Sequence, residues 1–218
     1  MVPVIFGAAA IVALGGVSSS IFGSSVAQLF TLLSAAILLV LVFLWTVVSW
    51  HRFVLLEETP TSWVPPLRRE LMLSYFSRSL ILIVLCLAVA APFYFSIGTL
   101  ALSHSLEAFS IFKIVMTFGV SVLMYRLVVV LPAAAIGERL GIMEAFSATK
   151  GATSAIAILL LVLFSVGFAV DQVVAVASRV SMAIGSLVSL LCSSVLFVLN
   201  ISALTTLYGH FIEGRSVD

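Results

Sequence analysis

The sequence predicts an all-α bundle of membrane-spanning helices, and three observations carry that prediction. Hydrophobic residues make up 63% of the chain and charged residues only 9%, whereas a soluble domain carries roughly 25% charged residues. Folded in water, such a chain would expose a large apolar surface. Residues 1–50 contain no Lys, Arg, Asp, Glu or His. Apolar runs of about 20 residues, the length that crosses the hydrocarbon core of a bilayer, recur along the whole sequence without the alternation of a strand.

Measured by that length, five runs stand out: 28–50, 75–97, 111–135, 152–170 and 182–208. The last is long enough to tilt or to reach the headgroups. A sixth, weaker run covers 3–22, loosened by Gly7, Gly15 and Gly16. It lacks a basic leader and is expected to remain as a span. The expected architecture is therefore a polytopic bundle of six helices in three hairpins, with five as the fallback, forming one membrane domain over 1–218.

Orientation follows from the basic residues. Arg52, Arg68, Arg69, Arg78, Arg139, Lys150 and Arg215 fall on one side, and Lys113 and Arg179 on the other. Seven against two places the first set, and the C-terminus, in the cytoplasm. The net charge of +1 gives no reason to expect a nucleic-acid partner.

The cytoplasmic segments mix apolar and polar residues at helical spacing. "LRRELMLSYFS" (67–77) and "LGIMEAFSATKG" (140–151) read as short interfacial helices. In the second, Leu140, Met143 and Phe146, with Ile142 as a further member, are expected to share a face, and Lys150 with Gly151 reads as a helix stop. "TPTSWVPP" (59–66) reads as an extended connector, with Trp63 at headgroup level.

An internal repeat emerges from the charged residues. "SWHRFVLL" (49–56) parallels "LMYRLVVV" (123–130), which sets Arg52 and Arg126 74 positions apart, and Glu70 and Glu144 share the same offset. The spacing points to a duplicated hairpin plus surface helix, roughly 28–97 and 102–176, with "TLYGHFIEGR" (206–215) as a degenerate third copy. Arg126 then has three competing readings. Its stem could carry the guanidinium to the cytoplasmic headgroups, it could pair inside the bundle with Glu57, Glu58, Glu138 or Glu144, or it could bind a lipid phosphate. Pro132 is expected to kink or end the helix nearby.

"WHRFVLLEE" (50–58), "RLVVVLPAAAIGE" (126–138) and "EAFSATKG" (144–151) resemble a family of alphaproteobacterial-type inner-membrane proteins. That family is distantly similar to the multi-span membrane domain fused to some glycerophosphodiester phosphodiesterases. The resemblance implies a six-helix bundle in the bacterial inner (cytoplasmic) membrane. His51-Arg52 is similar to the His-Arg that opens the phosphodiesterase catalytic motif. That chemistry, however, needs a barrel gathering carboxylates around a metal, and this chain shows no strand pattern to build one.

Reactive constellations are missing from the sequence. HExxH, CxxC and GxSxG are absent, as is a phosphate-binding glycine loop. His51 and His210 fall on one side of the membrane and His104 on the other, so no metal site and no cofactor are expected. Cys86 and Cys192 sit in apolar runs and read as small packing residues. Asp171, in "FAVDQVV", reads as a boundary residue near the outer interface or as part of a gate. In the last span Gly185, Ser189 and Ser193 form a stripe of small residues that suits close helix packing, within the monomer or between copies. Asn200 reads as a hydrogen-bonding residue between helices.

The function expected is that of a non-enzymatic inner-membrane scaffold, assembly factor or accessory subunit. Its partners would be membrane lipid, including anionic headgroups, another membrane protein, or a second copy of itself. A small permease or lipid-handling transporter is the alternative, and a lipid-modifying enzyme the third reading. The lipid- or anion-contact candidates are His51, Arg52, Arg126, Glu138 and Glu144.

Overall fold

A helix is the only regular structure that satisfies its own backbone inside lipid without closing a barrel. The computed structural model describes residues 25–58, 64–101 and 106–215, and among them it contains helices and no strand. α1 is Ser25–Leu55, α2 Arg69–Ala101, α3 Leu106–Val128, α4 Val130–Ile136, α5 Ile142–Ala148, α6 Thr153–Val180 and α7 Met182–Phe211, with a 3₁₀ turn at Lys150–Ala152 before α6. Five candidate spans result: Leu29–Leu55, Arg69–Phe93, Ser110–Ile136, Lys150–Val180 and Met182–Phe211. They coincide with the five strong runs of the sequence. The sixth predicted span, 3–22, and Trp63 lie outside the described residues.

α1 is long because its sequence holds no helix breaker. Between Ser25 and Leu55 there is no Gly or Pro. Hydroxyls inside the spans bond back to their own helix, as Ser34 does to the Phe30 carbonyl and Thr46 to that of Val42, both at 2.8 Å. The segment 67–77 does not form a separate surface helix. No Gly or Pro occurs from Arg69 up to Pro92, so the helix begun at Arg69, with Glu70 in its first turn, runs straight into the span. Likewise 171–180 is no loop, because Asp171 and Arg179 lie within α6.

The third span is interrupted instead. α3 stops at Val128 and α4 restarts at Val130. Pro132 has no N–H to give the Val128 carbonyl, and it sits in the first turn of α4, where none is needed. α4 ends in a left-handed Gly137 (φ 89°), where the Glu138 N–H returns to the Ala133 carbonyl at 2.8 Å. A residue with a Cβ is disfavoured in that conformation.

Neighbouring spans run α1–α2–α3–α6–α7 and close back on α1, while α4 packs against α1, α2 and α7. The buried hydrophobic residues fall in 44–55, 72–82, 127–135, 145–160 and 201–208. All of these lie toward the end of the bundle where α1, α3 and α7 finish and α2 and α6 begin. Ala133, Ala134 and Ala135 are fully buried there, and their small side chains let three helices close around α4. Over the other half of the spans Leu, Ile, Val and Phe side chains are exposed, as suits a lipid-facing surface.

At that opposite end only Ser181, in extended conformation, separates α6 from α7, and its Oγ accepts the Ala183 N–H at 3.3 Å. So tight a reversal presses Gly185 onto Ser178. A Cβ at Gly185 would stand 2.8 Å from the Ser178 Cα and 2.2 Å from its Oγ. Gly185→Ala should therefore splay the α6–α7 hairpin, at a cost of about 1–3 kcal/mol by analogy with overpacked cores. A lower thermal unfolding midpoint in detergent checks this, and an unchanged midpoint would contradict it.

Candidate functional site

Most of the charged side chains lie at the packed end, and several of them are engaged with the ends of helices. An α-helix leaves its last four carbonyls without partners, and the partial negative charge there attracts cations. Arg126, in the last turn of α3, donates from Nη2 to the Phe146 carbonyl at 2.7 Å, and its guanidinium carbon lies 3.9 Å from the centre of the Phe146 ring. Its Nε is 3.4 Å from Thr149 Oγ1, and Thr149 in turn donates to the Ala145 carbonyl at 2.8 Å. Arg126 therefore caps α5. Among the described residues it pairs with no carboxylate, and three of the acids proposed for it are engaged elsewhere. Glu58 takes Arg52 and Arg68, Glu138 takes Tyr208, and Glu144 takes the Gly141 N–H at 2.8 Å, capping the start of α5.

Two more arginines do similar work. Arg78 Nη1 donates to the Leu140 carbonyl at 2.9 Å and its Nη2 to that of Glu138 at 3.3 Å, pinning the segment after α4 onto α2. Arg215 Nη2 donates to the Leu55 carbonyl at 2.6 Å, at the end of α1, while its Nε pairs with Glu213 at 2.6 Å. The chain after α7 folds back to make this contact, with the Arg215 N–H on the Gly209 carbonyl at 2.9 Å.

Arg52 is turned differently. Glu57 adopts a positive φ of 53°, which reverses the chain after α1 and returns Glu58 to Arg52. Glu58 accepts from Arg52 Nε at 3.0 Å and from its Nη2, and Arg68 Nη2 lies 3.2 Å from both Glu58 oxygens. The Arg52 hydrogen bonds, helped by the Arg52 and Arg68 charges against a partial loss of hydration, hold the Glu58 carboxyl below the ordinary carboxylate range.

His51 is fully buried, so it cannot touch a lipid headgroup as the sequence reading expected. Its Nδ1 is 2.8 Å from Thr205 Oγ1 on α7, and its ring centroid is 5.9 Å from that of Tyr75 on α2. One turn beyond Thr205, the fully buried Tyr208 donates its hydroxyl to Glu138 at 2.5 Å. Of the packing candidates, Gly185 is buried in the hairpin, Ser189 is half-buried and Ser193 exposed. Asn200 Oδ1 accepts the Tyr125 hydroxyl at 2.7 Å, linking α7 to α3. Met143 projects outward, 77% exposed, so it does not share a buried face with Phe146. The covered side of α5 is Ile142, Ala145, Phe146 and Thr149, at the i, i+3, i+4, i+7 spacing of a helix stripe. Asp171 is exposed, and Cys86 and Cys192 are free thiols.

The repeat-related residues share positions but not partners. Arg52 stands in the last turn of α1 and Arg126 in that of α3, while Glu70 stands in the first turn of α2 and Glu144 in that of α5, with α4 intervening in the second case. Arg52 nevertheless binds a carboxylate and Arg126 a carbonyl. Among the described residues no group of three or more His, Cys, Asp or Glu is placed to hold a metal ion. The roles of Arg78, Thr149, Thr205 and Arg215 were not singled out from sequence, because a backbone carbonyl acceptor leaves no mark in the residues around it. Comparison with protein families, curated proteins and solved structures finds no match to the chain.

Two outcomes follow. Arg126→Lys keeps the charge but loses the planar fork stacked on Phe146. The bundle should lose about 1.5–3 kcal/mol, the range for a hydrogen bond to a charged group, and this would be read as a lowered thermal midpoint in detergent. For Glu58 the folded carboxyl titrates lower than the unfolded one. Its contribution is therefore fully present above the ordinary carboxylate value and is lost as pH falls from there through the lower folded value. Glu58→Gln should therefore lower stability at neutral pH, by a small amount because the pair is partly exposed, and its stability–pH curve should converge on that of the unaltered chain as pH falls below about 4.5.

Proposed function

We propose that this chain is a non-catalytic component of a bacterial cytoplasmic membrane, a scaffold or accessory subunit that engages lipid or another membrane protein. The packed end and the C-terminus would face the cytoplasm. One observation carries the reading: at the packed end the charged side chains hold helix ends and one another, while the apolar faces of the spans are left open. Chemistry on a substrate would need polar groups converging on a shared space. Here His51, Arg52, Arg126, Glu138 and Glu144 are each taken up by a different neighbour. The exposed cations Arg69, Arg139 and Lys150 supply the positive charge that favours an anionic inner leaflet. Short α5, with Met143 exposed beside Glu144, suits the interface between that leaflet and water.

Native mass spectrometry of the protein released from mild detergent tests the reading. The double variant Arg52→Gln, Arg126→Gln should retain as much anionic lipid as the unaltered chain while unfolding at lower temperature. Loss of bound lipid at full stability would assign the arginines to a headgroup site and overturn their structural role. A reporter fused after Asp218 should be active in the cytoplasm, and periplasmic activity would overturn the orientation.

A further inference from the structure

His51 carries a polar atom that the packing leaves without a partner. The imidazole is fully buried, and among the described residues its Nε2 has no hydrogen-bond partner. Buried polar atoms are rarely left in this condition. The state of the ring follows from counting protons. Thr205 has one hydroxyl proton, and its Oγ1 lies 2.7 Å from the Ile201 carbonyl, an acceptor that has no proton to give. The hydroxyl proton goes there, so the 2.8 Å contact with His51 is made by Nδ1–H donating to Thr205 Oγ1. Nε2 is then an unprotonated lone pair enclosed by the packed end of the bundle.

We infer that His51 is a proton-uptake site whose loading loosens the packed end where α1, α4 and α7 meet. A proton from solvent adds to the Nε2 lone pair and makes an imidazolium with no counter-ion beside it. From α2 the residue facing it is Tyr75, and from α7 Thr205, with Tyr208 a turn away. α4 offers Ala133, Ala134 and Ala135, and the acid after it, Glu138, already accepts the Tyr208 hydroxyl. On its own helix Arg52 adds a like charge and is paired with Glu58, which also holds Arg68. Beyond α7, Arg215 is held by Glu213 and the Leu55 carbonyl. A buried charge without a partner is expelled or hydrated. The proton is therefore accommodated when the Leu55–Arg215 contact opens and water reaches the ring. His210 differs, being exposed, with its Nδ1 on the Arg215 carbonyl at 3.0 Å.

Two measurements on the whole chain in detergent test this. In ¹⁵N-histidine-labelled protein, NMR should show His51 protonated at Nδ1 and bare at Nε2 at neutral pH. Hydrogen exchange over 47–55 and 201–208 should then rise, relative to His51→Asn at each pH, by about tenfold per pH unit below the ordinary imidazole value of about 6.5. The Asn variant keeps a donor toward Thr205 but cannot take up the proton, so its exchange should lack that rise. This window lies above the one in which Glu58 titrates. An Nε2–H tautomer, a second proton taken up by His51 without local opening, or an equal response in His51→Asn would each overturn the inference. If the variant does not accumulate, the NMR measurement on the unaltered chain decides.

Discussion

Backbone carbonyls at the ends of helices are the constraint around which this bundle is arranged. Within a span each carbonyl has its partner four residues on, but where the chain leaves the membrane the last turn has none. At the packed end three such places occur close together: the end of α1, the segment after α4 and the end of α5. Each is met by an arginine from elsewhere in the chain, Arg215, Arg78 and Arg126 respectively. The guanidinium suits the task because several donors lie in one plane and the charge complements the negative end of the helix dipole. These contacts span 160, 62 and 20 residues. They fix how hairpins distant in sequence sit against each other where apolar packing between helices in lipid gives little direction.

α4 is the second fixed point. Pro132 sets where the third span breaks, and the alanines after it make the narrowest part of the fold, so that α1, α2 and α7 close on a short helix with almost no side-chain volume. The large residues around it, Val47, Val48, Met72, Tyr75 and Ile201, then pack into one cluster. Val129 and Val130 join Ala152, Ile156, Leu160 and Leu204 in another. Packed alanine and stacked valine leave little room for a polar group. The lone imidazole of His51 is therefore conspicuous in that setting, as a residue that no packing requirement explains.

The membrane architecture was legible in the sequence because it depends on run length and charge, which are local properties. All five strong runs became helices. Their ends were less legible. α6 extends ten residues past the predicted end at 170, to Val180, since Asp171 and Gln172 do not stop a helix that meets no Gly or Pro between 171 and 180. α2 begins six residues before the predicted 75, at Arg69, for the same reason. The site was legible only in part. Charged residues in an apolar chain drew attention to Arg52 and Arg126, but the partner of Arg126 is a carbonyl, which every residue possesses. The contact between His51 and Thr205 joins positions 154 apart and involves a threonine that otherwise reads as an ordinary span residue. Gly185 was picked out from a stripe of small residues, yet what requires it is the one-residue turn at Ser181, which becomes visible only when α6 is seen to run to Val180.

The arginines that orient a chain in a membrane are usually treated as a topological signal alone. Here part of that signal has a second use. Of the seven basic residues assigned to the inner side, Arg78 and Arg215 bind carbonyls and Arg52 and Arg68 bind Glu58, while Arg69, Arg139 and Lys150 remain exposed. The exposed three can answer to the lipid surface, and the others are committed within the fold. Arg126, which fits no simple topological count because it lies inside an apolar run, belongs with the committed group: burying a guanidinium beside Phe146 is tolerable because the end of α5 supplies the acceptor. The same logic separates it from His51. An arginine placed among carbonyls has acceptors for its charge, whereas the His51 imidazole, against Tyr75 and bonded to Thr205, has none at its Nε2, so the packed end accommodates fixed charge at its rim and offers no partner for a new charge at its centre.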